Sequence, residues 1–276
     1  MISFPNCKIN IGLNIVSKRS DGYHDIETVF YPLTLCDALE VIPAGKDRSE
    51  DEICIVGMKF EGAPEQNLCM KALRLMQKEL PIPPLKIVLM KTIPVGAGLG
   101  GGSSDAAFIL KMVNTLSGAG YTDERLSKMA SVLGSDCAFF IVNKPVFACG
   151  RGDQLSQISV HLEGLTILVV KPPVFVRTAE AYAGVTPTQP ERSLKELIQL
   201  PVAEWKHVIK NDFEHTIFSH HPEIAAIKKR MYKMGALYAS MSGSGSAVFG
   251  IFKGPVNAPA DFPGCFYHEE QTAKII

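Results

Sequence analysis

Five of the seven residues from Gly96 to Gly102 are glycine, and two serines, Ser103 and Ser104, follow directly. Ordering so much glycine is entropically costly, and it is tolerated where the backbone must take positive φ or approach another group closely. Upstream, Leu85 to Met90 is a compact apolar run that predicts a strand. Downstream, Ala106, Ile109, Leu110 and Val113 share one face and predict a helix over 105–117, with Gly118 as its stop. A helix entered from such a loop points its first, unpaired amides outward, and its dipole adds about half a positive charge there. The segment Pro94, Val95, Gly96, Ala97, Gly98, Leu99, Gly100, Gly101, Gly102, Ser103 and Ser104 therefore predicts an anion cradle, with two hydroxyls available to a phosphate or a metal.

Other readings of the loop fare worse. The GxxxxGK[ST] pattern of a P-loop needs a lysine that is absent here. Gly96, Gly98 and Gly101 match GxGxxG, but a dinucleotide fold also wants an acid at a strand end about 20 residues on. The acids at that distance, Asp123 and Glu124, open a predicted helix instead. A ligand-free flexible turn leaves the cost of the glycines unexplained.

Composition narrows the field. With 46% hydrophobic residues the chain can bury a sizeable core, so disorder is excluded for most of its length. Lys and Arg number 28, as do Asp and Glu, so no strong basic field exists to hold a nucleic acid or an anionic membrane. The seven cysteines are scattered without a CxxC pair, which speaks against a zinc ribbon or disulfide framework and for a reducing cytoplasm. The start lacks the basic and apolar runs of a secretory signal, and the most apolar later stretch, Leu165 to Val176, is broken by Lys171, Pro172 and Pro173.

The rest of the chain mixes strands and helices without strict alternation, which predicts an α+β fold. Residues 1–56 read mostly as strands, with Ile9, Ile11, Leu13 and Ile15 alternating with Asn10, Gly12 and Asn14, and Ile53 to Val56 as a further strand. Helices are predicted over 67–80, where Asn67 is a suitable N-cap, and between Thr122 and Gly134. Asp136 to Ile141 fits a short strand or a helical turn equally well. Further helices are expected near 178–184, 193–199, 203–219 and 223–234, and strands over Leu165–Val170, Ala236–Met241 and Ala247–Phe252. The least structured stretch, Gly150 to Ser156, suggests a boundary between domains 1–152 and 153–276.

Three ordered segments carry a family resemblance: Pro5-Asn-Cys-Lys-Ile-Asn-Ile-Gly-Leu, the loop from Pro94 to Ala107, and Met241-Ser-Gly-Ser-Gly-Ser-Ala-Val-Phe. Together they resemble the three motifs of the GHMP kinases. The resemblance implies a two-domain fold, an N-terminal α/β nucleotide-binding domain and a C-terminal ferredoxin-like domain with the active site between them. It also implies an ATP-dependent small-molecule kinase with Mg²⁺ carried in by ATP. Lys8-Ile-Asn10, Asp21-Gly-Tyr-His24, the loop and Gly134-Ser-Asp136 are similar to the branch of that family serving non-mevalonate isoprenoid synthesis. Its acceptor is the 2-hydroxyl of a cytidylylated methylerythritol. The alternative is a family member with a different alcohol acceptor. A small-molecule substrate is expected, with no nucleic-acid or membrane partner, in a monomer or homodimer.

The resemblance also assigns roles. On its own Lys8 would be a solvated strand lysine; the family match implies that it faces the acceptor hydroxyl and the transferred phosphoryl group. Asp136 would otherwise cap the next turn; the match implies the catalytic base. Tyr23 would stack on cytosine, His24 would bond the base edge, and Tyr182, four residues after Thr178, would close the sandwich. Phe30 lines that site or the core. Asn10 would contact the sugar alcohol, Asn67 either the adenine or only its helix, and Gly243 and Ser244, in the turn Ser242–Ser246, the diphosphate or the phosphate loop. Several family members hold the metal with a glutamate on the helix after the glycines; no acid occurs between Ala106 and Tyr121 here, so only Ser103, Ser104 and Asp105 remain near the metal and no protein ligand for Mg²⁺ is assigned.

Overall fold

The computed structural model describes residues 1–45, 49–58 and 63–272; residues 46–48, 59–62 and 273–276, which the two expected domains include, lie outside them. Along the chain come β1 (Ile2–Ser3), β2 (Asn6–Lys18), β3 (His24–Cys36), β4 (Ala38–Pro43), β5 (Glu52–Gly57), α1 (Leu68–Gln77), β6 (Leu85–Lys91), α2 (Gly101–Ser117), α3 (Asp123–Leu133) and α4 (Cys137–Val142). There follow β7 (Val146–Cys149), β8 (Gln154–Gln157), β9 (Thr166–Lys171), α5 (Thr178–Ala183), α6 (Leu194–Leu197), α7 (Val202–Val208), α8 (Phe213–His220), α9 (Pro222–Lys233), β10 (Tyr238–Met241), β11 (Val248–Phe252) and β12 (Phe266–Gln271). The mixture is α+β, as expected.

Two compact units divide the chain. The first comprises Met1–Cys7, Pro32–Val95 and Gly100–Lys144; the second comprises Lys8–Tyr31, Gly96–Leu99 and Pro145–Ile276. In the first, a sheet of order β1-β4-β6-β5 is antiparallel except for the parallel pair β5–β6. Helix α1 buries Cys69, Met70, Ala72, Leu73 and Met76 and packs on α2. Asn67 caps it, its Oδ1 accepting from the Cys69 amide at 2.8 Å, a bond worth about 1 kcal/mol. Helices α3 and α4 pack on each other and on α2, whose Ala106, Ala107, Ile109, Leu110 and Val113 are buried.

The second unit holds most of the sheet β2-β3-β7-β8 and all of the antiparallel sheet β10-β11-β9-β12. Numbered from β9, the latter has the strand order of a ferredoxin-like domain. A 3-10 turn, Pro259–Asp261, stands where that topology has its second helix. Helix α9 lays Ile224, Ile227 and Met231 against β10 and β11, where Ala239, Met241 and Val248 complete the core.

Several expectations are corrected. Helix α2 starts at Gly101, four residues before the predicted start, because Gly100 takes φ 72° and its carbonyl already accepts the Ser104 amide at 2.9 Å. Residues 136–141, readable as strand or helix, are headed by Asp136 and form α4. The single helix expected over 203–219 is two. Between them the chain extends to bridge β2 through Leu13 N to Lys210 O at 2.9 Å and Asp212 N to Leu13 O at 2.9 Å, a pairing that overrides the helical period. Gly150–Ser156 is not irregular: it holds a tight turn and the start of β8, paired to β7. The alternation in β2 does not mark one wet face, since Lys8, Asn10 and Asn14 are buried along with the isoleucines.

Candidate active site

The three motif-bearing segments meet within the second unit. The Lys8 amide donates to the Leu99 carbonyl at 3.0 Å, so β2 pairs with the glycine loop itself. Two residues on, the Asn10 amide donates to Ser242 Oγ at 3.1 Å, and Ser242 Oγ donates to the Gly98 carbonyl at 2.8 Å. The Ala247 amide donates to the Ala97 carbonyl at 3.1 Å. The turn Ser242–Ser246 thus supports the loop. Glycine is required at 98: φ is 74°, and a Cβ there would stand 2.0 Å from the Ser242 carbonyl oxygen. Gly243 takes φ 54° beside Asn10 Oδ1.

Lys8 is 2% exposed, a lysine brought into the interior of a strand. Its ammonium donates to Asn10 Oδ1 and stands 4.7 Å from the centroid of the Phe30 ring. Asn10 Nδ2 in turn donates to Thr28 Oγ1 at 2.9 Å, and Thr28 Oγ1 to the Gly12 carbonyl at 2.6 Å. Burying an ammonium costs several kcal/mol unless polar partners compensate. This network fixes the direction of the lysine, and Phe30 is both core and a wall beside that charge.

Tyr23, His24 and Tyr182 belong to the same unit. His24 and Tyr182 stack directly, centroids 4.8 Å apart at 21°. Tyr23 is exposed, with the Arg151 guanidinium 5.1 Å from its ring centroid. Thr178, the first residue of α5, has Oγ1 3.3 Å from Ser244 Oγ. Phe175, exposed, lies against Gly96, where a Cβ would be 2.3 Å from its ring.

The helix start and Asp136 belong to the first unit. Gly101, Gly102, Ser103 and Ser104 form the first turn of α2. Ser104 Oγ is completely buried and has no hydrogen-bond partner among the described residues. Asp136 stands at the head of α4, where its side chain makes no capping bond, so the cap alternative is not the one adopted. Its neighbour Cys137 is hydrogen-bonded to Ser103, which docks the start of α4 on the start of α2; burial pushes the Cys137 thiol up to about 11 and keeps it protonated. Asn67 spends its Oδ1 on the cap of α1.

Some participants carried no signal in the sequence. Thr28 is an ordinary strand threonine until its partners are known. Asn211 falls inside a segment of helical period, yet its buried Nδ2 donates to the carbonyls of Met241 and Gly243, each at 2.8 Å, and holds the supporting turn in shape. Arg151 and Phe175 sit in loops. No group of three or more His, Cys, Asp or Glu among the described residues is placed to hold a metal ion. No described helix is long and apolar enough to cross a membrane.

The chain matches the models of the GHMP kinases N terminal domain over residues 67–144 and the GHMP kinases C terminal domain over residues 193–261. It is 50% identical to a 4-diphosphocytidyl-2-C-methyl-D-erythritol kinase of Parabacteroides distasonis, over 99% of this chain and 100% of that one. A protein of the same name from Bacteroides fragilis is 51% identical over 91% of this chain and 92% of its own. A crystal structure of 4-(cytidine 5'-diphospho)-2C-methyl-D-erythritol kinase matches with a TM-score of 0.81 at 29% identity, covering 98% of each chain. A homoserine kinase from Cytophaga hutchinsonii, at 17% identity and a TM-score of 0.65 over 96% of this chain and 94% of that one, shares the fold.

Proposed function

We propose a reaction from this premise: the chain belongs to the 4-diphosphocytidyl-2-C-methyl-D-erythritol kinases of the GHMP kinase family. It is an ATP-dependent kinase that phosphorylates the 2-hydroxyl of the cytidylylated methylerythritol, giving the 2-phosphate and ADP for isoprenoid precursor synthesis. The observation that carries this reading is the convergence of β2, the glycine loop and the turn Ser242–Ser246 through the bonds of Lys8, Asn10, Gly98 and Ser242. Three segments far apart in sequence are spent on shaping one short stretch of backbone.

The loop and the first turn of α2 receive the triphosphate on main-chain amides. Mg²⁺ enters as part of the MgATP substrate and offsets the charge of its β- and γ-phosphates. Asp136 accepts the proton of the acceptor hydroxyl as that oxygen bonds to the γ-phosphorus. The bond from the γ-phosphorus to the bridging oxygen breaks, and ADP leaves with the electron pair. Lys8, aimed by Asn10, supplies positive charge where the phosphoryl oxygens gain negative charge. Asn10 contacts the sugar alcohol, and Gly243 and Ser244 the diphosphate of the acceptor.

Tyr23, His24 and Tyr182 recognise the cytosine. The direct stacking of His24 on Tyr182 supports a shared aromatic site for the base. The seven cysteines form no disulfide among the described residues, which suits a reducing cytoplasm. The test is the double variant Tyr23→Ala, His24→Ala. Stacking worth about 1–3 kcal/mol predicts a KM for the cytidylylated acceptor raised about five- to 150-fold, with the KM for ATP unchanged. An unchanged acceptor KM assigns the kinase a different alcohol.

A further inference from the structure

Beneath the start of α2 lies a buried charged cluster that the roles above do not use. Lys91, the last residue of β6, donates from its ammonium to Asp37 Oδ2 and to Asp105 Oδ2, the latter at 2.8 Å. The three side chains are 6%, 0% and 3% exposed. Asp37, between β3 and β4, also accepts from the amides of Thr92 at 2.5 Å and Ile93 at 2.9 Å. Gly101, the first residue of α2, lies so close above that a Cβ on it would be 3.2 Å from Lys91 Nζ and 2.9 Å from the Ile93 side chain.

This arrangement is expensive for mere stability. Each ionised group buried here costs several kcal/mol before its attraction to the others, and apolar side chains of similar volume often serve as well. A cation beside a helix N-terminus also has the sign that the helix dipole disfavours. Directional bonds do what apolar packing does not: they fix the height and rotation of α2 against the end of β6. One carboxylate ties the ammonium to the strand and to the backbone that follows it. The other ties it to the second turn of the helix. The missing Cβ at Gly101 lets the two elements close onto that brace.

We propose that Lys91 and Asp105 are positioning residues for nucleotide binding: held by Asp37, they set the first turn of α2 so that the amides of Gly101–Ser104 converge on a phosphate. The inference rests on reading that turn as part of the ATP site. None of the three side chains touches the nucleotide; they act through the backbone they hold.

The test compares Asp105→Ala, which removes the acceptor for Lys91, with Asp105→Asn, which keeps an acceptor oxygen of the same reach. Steady-state kinetics on the full chain are expected to show the KM for MgATP raised about tenfold in Asp105→Ala, kcat within about twofold, and the acceptor KM unchanged. Asp105→Asn restores the wild-type KM for MgATP. A merely structural role lowers the melting temperature and the active fraction with the MgATP KM unmoved, and that result overturns the proposal. So does an Asp105→Asn variant as impaired as Asp105→Ala. If Asp105→Ala does not fold, Asp105→Ser, with its shorter oxygen, is read by the same split. A wild-type chain that binds no MgATP refutes the nucleotide-site reading itself, which is a separate outcome.

Discussion

Gly98 and Ser242 are held in mutual contact from both sides: Ser242 Oγ donates to the Gly98 carbonyl at 2.8 Å, and the Ser242 carbonyl occupies the space a Cβ on residue 98 would need. The glycine loop is therefore a backbone built against another backbone, with no tolerance at the contact. Gly98→Ala meets both a φ of 74° and a Cβ 2.0 Å from an oxygen. It is expected to cost more than about 2 kcal/mol and to abolish measurable ATP binding. Gly22→Ala is the control: its φ is 85° but nothing lies within 4 Å, so it costs only about 1 kcal/mol and leaves ATP binding intact. Thermal melts and an ATP titration on both variants check the pair.

Asp136→Asn keeps size and hydrogen bonding but cannot accept the hydroxyl proton. It is expected to lower kcat about 10²- to 10⁴-fold with the KM for ATP and for the acceptor within about threefold. Near-normal turnover removes the base assignment.

Asn211→Leu removes the Nδ2 donor to the Met241 and Gly243 carbonyls, of which Met241 keeps a long bond from Ser240 Oγ, and strips the Phe213 amide of its acceptor. Buried polar groups left unsatisfied cost about 1–3 kcal/mol each, so a loss of about 2–4 kcal/mol after local relaxation is expected in urea unfolding. Because the turn Ser242–Ser246 supports the loop, ATP affinity should fall with it. A variant as stable as the wild type contradicts the role given to Asn211.

Burial pushes the Asp105 carboxyl up to about 7, against the pull of the Lys91 ammonium and with the help of the Asp37 carboxylate. The folded value lies above the ordinary carboxylate value of 3.8, so the native state holds this proton more tightly than the unfolded chain. That contribution to stability is complete below the unfolded value and is lost as pH rises through about 7. Asp105→Asn carries no such proton. Its melting temperature relative to the wild type should therefore climb across the roughly three units between pH 5 and pH 8. A constant difference across that window is the contrary result.

What the sequence made legible was whatever is encoded locally. Asn67 and Thr122 announce their helices because an N-cap is a bond between neighbours. The glycines announce a close approach because no other residue permits it. The family resemblance carried by the three ordered motifs marks Lys8, Asn10 and the turn at 242 as parts of one apparatus. What stayed hidden is set by distant partners. Asn211 lies in a run of helical period that breaks only because Leu13 pairs with it. Lys91 merely follows the strand predicted over Leu85–Met90, and its partners Asp37 and Asp105 are 54 and 14 residues away. Helix α2 begins among its glycines because the positive φ of Gly100 and the docking of Gly101 on Ile93 start it early, against the low helix propensity of the residues themselves.

The central claim is a phosphoryl transfer from ATP to one hydroxyl. Purified protein mixed with MgATP and the cytidylylated methylerythritol, followed by ³¹P NMR, tests it directly. The account predicts one new phosphate monoester on the 2-hydroxyl carbon and an equal amount of ADP. ATP bound but not consumed, or consumed with no phosphate on that carbon, contradicts it.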